Sequence, residues 1–62
     1  MLTVFVNRNG DVIFTYPNVD LCRGDAVRHN GILYLVCRKT FVTDGGFYEV
    51  LLHESEEEVT EE

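Results

Sequence analysis

The sequence predicts an all-β domain of five strands that spans residues 1–54. Short runs rich in β-branched and aromatic residues alternate with turn-forming residues along the chain. No stretch places apolar residues at helical spacing over two turns. Five strands in so short a chain are too few for a broad sandwich, so we expect an antiparallel meander that closes into a small, partly open barrel.

The first hairpin is predicted from Asn9-Gly10, which lies between the strand-like runs 2–7 and 11–16. Both central residues of a type I′ turn need positive φ, which Asn and Gly tolerate. A two-residue loop at this dipeptide sets four cross-strand pairs, which are Thr3–Tyr16, Val4–Thr15, Phe5–Phe14 and Val6–Ile13. Large apolar groups then lie on both faces, so the hairpin must be covered on both sides in a barrel, a sandwich or an oligomer interface.

Two further hairpins follow the break at Pro17-Asn18, since proline cannot donate to a ladder. Asn30-Gly31 predicts a second type I′ turn between strands 25–29 and 32–39, with Val27 opposite Tyr34. A third turn at 44–46, Asp-Gly-Gly, separates strand residues 40–43 from 47–52. Its loop fits two, three or four residues, and each length reverses the faces, so the third register stays open.

The formal net charge of −6 comes from the C-terminal end of the chain. Residues 1–53 contain five Lys and Arg and five Asp and Glu and are therefore neutral, whereas six of the eleven acidic residues lie between positions 54 and 62. We expect residues 55–62 to form a flexible acidic tail, because they have almost nothing apolar to bury. Such a tail either solubilises the domain or imitates DNA as a decoy for a basic protein surface.

The run from Gly24 to Val36 resembles a hairpin of SH3-like small barrels, many of them in short bacterial and phage proteins. The resemblance lies in Gly-Asp-x-Val, a turn, and x-Tyr-x-Val, and it covers thirteen residues. It implies a free-standing SH3-like binding module without catalysis. The groove that SH3 domains use for proline-rich peptides needs a tryptophan, and this chain has none, so binding of that peptide class is not expected.

The cysteines and histidines give a separate set of expectations. No apolar run approaches the roughly 20 residues of a membrane span, and the start of the chain does not look like a secretory signal, so we expect a cytoplasmic protein that binds no membrane. In a reducing compartment Cys22 and Cys37 are expected to be free and buried, with a disulfide as the alternative. The spacing of Cys22, His29, Cys37 and His53 matches no usual zinc pattern, so we expect neither a metal nor a cofactor.

The function predicted from these features is that of a non-catalytic protein-interaction module, such as a small phage or bacterial regulator of a larger protein. The chain offers Cys37 as a nucleophile and His29 as a base, but no deep pocket is expected in so small a barrel, so an enzyme is not expected. The candidate binding residues are the aromatic and arginine side chains Phe5, Tyr16, Arg28, Tyr34, Arg38 and Tyr48.

Two other functions remain open at this point. In a barrel that binds single-stranded nucleic acid, Tyr34 and Tyr48 would stack on bases while Arg28, Arg38 and Lys39 contact phosphates. The neutral charge of residues 1–53 argues against this alternative, because phosphate binding usually depends on excess positive charge. The other alternative is a homo-oligomeric structural protein, in which a second copy covers the apolar faces of the first hairpin.

Overall fold

The computed structural model describes residues 1–55 as a single five-stranded sheet that curls into a half-barrel. Its strands are β1 (Thr3–Val6), β2 (Val12–Tyr16), β3 (Ala26–His29), β4 (Ile32–Val42) and β5 (Phe47–Glu54). The predicted all-β class, the five strands and the partly open barrel are confirmed. The predicted acidic tail lies, apart from Ser55, outside the described residues. Residues 1–55 include no helix that could cross a membrane.

The strand order is β2-β1-β5-β4-β3, which differs from that of a simple meander. β1 pairs in parallel with β5, and β2 and β3 become the two edges of the sheet. β1 lies between β2 and β5 in the sheet, and three of its four residues are buried. β2 has exposed residues at Val12, Thr15 and Tyr16 and tolerates an edge position.

The core lies on the concave face of the sheet. Its buried members are Phe5, Val36, Val50 and Leu52. The Phe5 and Phe14 rings stack with centroids 4.4 Å apart, and Phe14 stacks in turn on the imidazole of His29 at 4.1 Å. This second stack joins edge strand β2 to edge strand β3 through side chains, although the two strands are not neighbours in the hydrogen-bonded sheet. Side-chain packing therefore connects the two edges of the half-barrel where no backbone hydrogen bonds join them.

The first turn is a three-residue loop, so the predicted two-residue turn at Asn9-Gly10 is wrong. The amide of Asn7 donates to the Asp11 carbonyl at 3.0 Å, and the Asn7 side-chain oxygen accepts the amides of Asn9 and Asp11 at 2.9 and 3.0 Å. Val6 consequently lies opposite Val12 instead of Ile13, across an irregularity in the ladder. The other three predicted pairs, Thr3–Tyr16, Val4–Thr15 and Phe5–Phe14, are confirmed.

The second hairpin forms as predicted. Asn30 and Gly31 both have positive φ, 54° and 82°, and Val27 lies opposite Tyr34. The third hairpin has a four-residue loop, because Val42 pairs with Phe47. That loop length, which the sequence left undecided, places Phe41 opposite Tyr48 and brings their two rings to the same face of the sheet.

Candidate interaction surface

The six candidate binding residues lie in different parts of the molecule. Phe5 is only 1% exposed and belongs to the core, so its prediction as a surface contact is wrong. Tyr34 is half-buried and packs against the same core. Tyr16 is exposed and Tyr48 is half-buried, and both lie beside Thr3 in neighbouring strands. Arg28 and Arg38 are exposed elsewhere on the sheet.

Aromatic side chains form a row across four strands at one end of the half-barrel. Tyr16 lies opposite Thr3, Thr3 opposite Tyr48, and Tyr48 opposite Phe41. Partners in neighbouring strands project from the same face, so the three rings share the concave side with Thr3 between two of them. The backbone carbonyl of Leu2 accepts the Tyr48 amide at 3.1 Å, which fixes the N-terminus at this end.

We call this surface the aromatic end and define it as Met1, Leu2, Tyr16, Phe41 and Tyr48. Its members include four of the seven exposed large hydrophobic residues in the described chain, at 59% for Met1, 45% for Leu2, 57% for Tyr16 and 47% for Phe41. The rings of Phe41 and Tyr48 pack in a tilted arrangement with centroids 5.1 Å apart. Several exposed apolar side chains at one end of a small protein favour an interaction site there.

Polar groups surround Tyr48 at the aromatic end. The Lys39 ammonium lies 4.9 Å from the centroid of the Tyr48 ring and 3.8 Å from a carboxylate oxygen of Asp20. The N-terminal ammonium of Met1 donates to the side-chain oxygen of Asn18 at 2.7 Å. These groups line an open cavity of about 360 Å³ beside the ring. The aromatic end therefore has an apolar centre and a polar rim, as protein interfaces do.

The arginines do not join the aromatic end. Arg28 lies in β3 opposite Leu33, and Arg38 lies in β4 opposite Leu51. Neither lines the cavity beside Tyr48. Of the five side chains expected to bind a nucleic-acid strand together, the structure brings Tyr48 and Lys39 into contact. Arg38 lines a groove with Lys39 but not the cavity beside Tyr48, and Tyr34 and Arg28 line neither.

Both cysteines are free thiols, and both are exposed, so their predicted burial is wrong. Cys37 lies at the irregularity in β4 where the pairing with β5 shifts, which takes it out of the regular inward and outward alternation. Cys22 lies in a turn, where its amide donates to Asp25 at 2.7 Å. The two cysteines line one groove, whereas His29 stacks on Phe14 and His53 lines a different cleft. Within residues 1–55 no three metal-binding side chains gather.

Phe41 was not among the candidate residues predicted from the sequence, and its position depends on the register of the third hairpin. Its position opposite Tyr48 depends on the four-residue loop that follows Val42. The Gly46 amide donates to the Val42 carbonyl at 2.8 Å, and Gly46 has a φ of 69°. Loops of two, three or four residues would all end at Gly46, so the sequence carries no signal that selects this length.

Comparisons with known proteins give no match to a family model, to a curated protein or to a solved structure.

Proposed function

We propose that the chain is a non-catalytic protein-interaction module that binds its partner through the aromatic end. The observation that supports this proposal is the row of Tyr16, Tyr48 and Phe41 on one face of the sheet, in which Tyr16 and Phe41 are exposed and Tyr48 is half-buried. Tyrosine, phenylalanine and methionine are enriched in the centres of protein interfaces, where they fill pockets on the partner. A small regulator of a larger bacterial or phage protein is the form of this function that we favour.

The size of the aromatic end indicates the kind of contact. The row from Tyr16 to Phe41 crosses four strands, which is three interstrand spacings, or about 14 Å. That width suits one protruding element of a partner, such as a loop or one face of a helix, better than a flat protein surface. The cavity of about 360 Å³ beside Tyr48 is large enough to accept an apolar side chain from such an element.

The charge near the aromatic end favours a protein over a nucleic acid. The cations beside Tyr48 are Lys39, which forms an ion pair with Asp20, and the Met1 ammonium, which donates to Asn18. Binding of a single strand through stacked bases usually combines aromatic rings with a cationic groove along the backbone. Here the rings lie apart from Arg28 and Arg38, so they offer apolar contact area with little accompanying positive charge.

The experiment that tests this proposal compares two ends of the molecule. The double variant Tyr16→Ser and Phe41→Ser removes two exposed rings, and Val12→Ser removes an equally exposed apolar group, 60% accessible, from the opposite end of β2. Each purified protein is used as bait in a lysate of the organism that encodes it. We expect the partner captured by the wild type to be lost from the double variant and kept by Val12→Ser.

Three outcomes would contradict the proposal. The first is equal capture by the wild type and the folded double variant, and the second is equal loss in Val12→Ser. The third is that light scattering shows a stable dimer that the double variant dissociates, because the aromatic end would then be a contact between copies of this chain. Anisotropy with labelled oligothymidine at about 50 mM salt tests the nucleic-acid alternative, since phosphate-driven binding is strongest at low salt.

A further inference from the structure

Three of the four arginines gather away from the aromatic end, along two open grooves. One groove, of about 360 Å³, is lined by Arg8, Arg38 and Leu51 among others. The second, of about 580 Å³, is lined by Arg23, Arg38 and Leu51 together with Lys39 and both cysteines. Because the grooves share Arg38 and Leu51, they form one continuous surface. We call Arg8, Arg38 and Arg23 the basic strip.

The charge of the basic strip is not neutralised by the described part of the chain. The one ion pair within residues 1–55 joins Lys39 to Asp20, so no carboxylate there lies within 4.0 Å of Arg8, Arg23 or Arg38. Glu49 lines the same groove as Arg8 and Arg38 without forming an ion pair with either. All three arginines are exposed. A row of unpaired guanidinium groups favours an extended anion with several charges.

The chain itself supplies an anion of that kind where its described part ends. Ser55, the last described residue, lines the same cleft of about 920 Å³ as Arg8 of the basic strip. Residues 56–62 read Glu-Glu-Glu-Val-Thr-Glu-Glu and carry five carboxylates. Residues 1–53 are neutral overall, yet four of their five cations line these two grooves, namely the three arginines of the basic strip and Lys39.

The distances allow the contact. Arg38 lies opposite Leu51, four residues before Ser55 in the chain, which is about 13 Å along an antiparallel strand. Seven extended residues span up to about 23 Å, so a segment that turns back from Ser55 can pass Arg8 and reach Arg38. The rival cation near the exit point is Arg28, which lies opposite Leu33, the residue whose carbonyl accepts the Ser55 amide. Arg28 is a single charge, whereas the strip offers three in succession.

We propose that residues 56–62 dock on the basic strip of their own chain through contacts between glutamate carboxylates and the guanidinium groups of Arg8, Arg38 and Arg23. The contact masks the positive surface and is weakened by salt, because exposed ion pairs are screened. The aromatic end lies at the other end of β1 and β5, and Lys39 lines both its cavity and the second groove.

Paramagnetic relaxation enhancement tests the docking in the full-length chain. A nitroxide is attached at Thr60→Cys in a Cys22→Ser, Cys37→Ser background, and the loss of signal is read at backbone amides. A free segment affects Arg28, which lies near its exit, more than Arg38 and Arg23, which lie farther away. A docked segment affects Arg38 and Arg23 at least about twofold more than Arg28, and about 0.5 M salt removes the difference.

A matched control carries glutamine at positions 56, 57, 58, 61 and 62 with the same nitroxide. We expect this chain to lose the effect at Arg38 and Arg23 while the spectrum of residues 1–55 stays that of the folded wild type. An effect that is equal at Arg28 and Arg38, or unchanged in the glutamine chain, would overturn the proposal. So would an effect transferred to an isotope-labelled chain mixed with an unlabelled, spin-labelled one, because the docking would then join two copies.

Discussion

Two turns of this molecule contain the same dipeptide, Asn-Gly, and fold differently. At Asn30-Gly31 both residues adopt positive φ, and the loop has two residues between His29 and Ile32. At Asn9-Gly10 only Gly10 has positive φ, at 89°, and the loop has three residues. The ladder of the second hairpin is regular, whereas that of the first shifts between Phe5 and Val6.

Residues outside the dipeptide explain the difference. Asn7, two positions before Asn9, accepts two turn amides with its side-chain oxygen, and the residue at the same spacing in the second hairpin is Arg28, which cannot accept. The shifted ladder also turns Ile13 toward the core, which it packs against. A turn dipeptide therefore predicts a reversal of the chain, while the side chains around it decide the register.

The largest expected effect concerns what each hairpin contributes to the core. Phe14 of the first hairpin stacks on both Phe5 and His29, so Phe14→Ala should lower the free energy of unfolding by about 3 kcal/mol. His29→Ala removes only the last of the three stacked rings, Phe5, Phe14 and His29, and should lower the free energy of unfolding by about 1 kcal/mol. Urea denaturation of both variants measures the difference. Equal losses would mean that the contact between the two edge strands matters more than the Phe5–Phe14 stack.

The second prediction contrasts the two asparagines. Asn30 has a φ of 54°, a conformation that most side chains adopt at a cost, so Asn30→Ala should destabilise the protein by about 1 kcal/mol. Asn9 is not among the described residues with positive φ, so Asn9→Ala should change stability by less than about 0.3 kcal/mol. Thermal denaturation of the two variants side by side provides the measurement. A similar loss in both would show that the two turns share one conformation in solution.

The smallest effect tests what holds the register of the first hairpin. Asn7→Ala removes one acceptor of two exposed backbone amides and should cost about 0.5 to 1 kcal/mol. We expect Val6 to stay opposite Val12, because Ile13 would otherwise leave the core. Nuclear Overhauser effects between β1 and β2 report the pairing, and Arg28→Ala serves as the control at the same spacing. A new contact between Val6 and Ile13 would show that Asn7 alone sets the register.

The sequence predicted those parts of the fold that depend on neighbouring residues. The type I′ turn at Asn30-Gly31 and the pairing of Phe5 with Phe14 follow from turn chemistry and alternation. The parallel pairing of β1 with β5 joins segments more than forty residues apart, and no local pattern encodes it. The three-residue first loop was missed because the carboxamide of Asn7 competes with the type I′ geometry.

Only part of the candidate surface was predicted, because residue type is read from the sequence whereas long-range pairing is not. Tyr16 and Tyr48 were named from residue type, and the structure places both at the aromatic end. Phe5 was named with them and lies in the core, because alternation separates two faces without showing which one becomes concave. The basic strip has no signal in the sequence at all, since Arg8, Arg23 and Arg38 meet only after three loops and strands are in place.

The central position of β5 has a consequence for how the protein is made. Each of the two hairpins closes through local contacts, but among the described strands β1–β2 and β3–β4 are joined in one sheet through β5, which is synthesised after all four of them. We therefore expect the nascent chain to carry two separate, unfinished hairpins until Phe47–Glu54 has emerged. Refolding should be governed by this final docking step, so a destabilised β5 should slow folding more than a destabilised edge strand does.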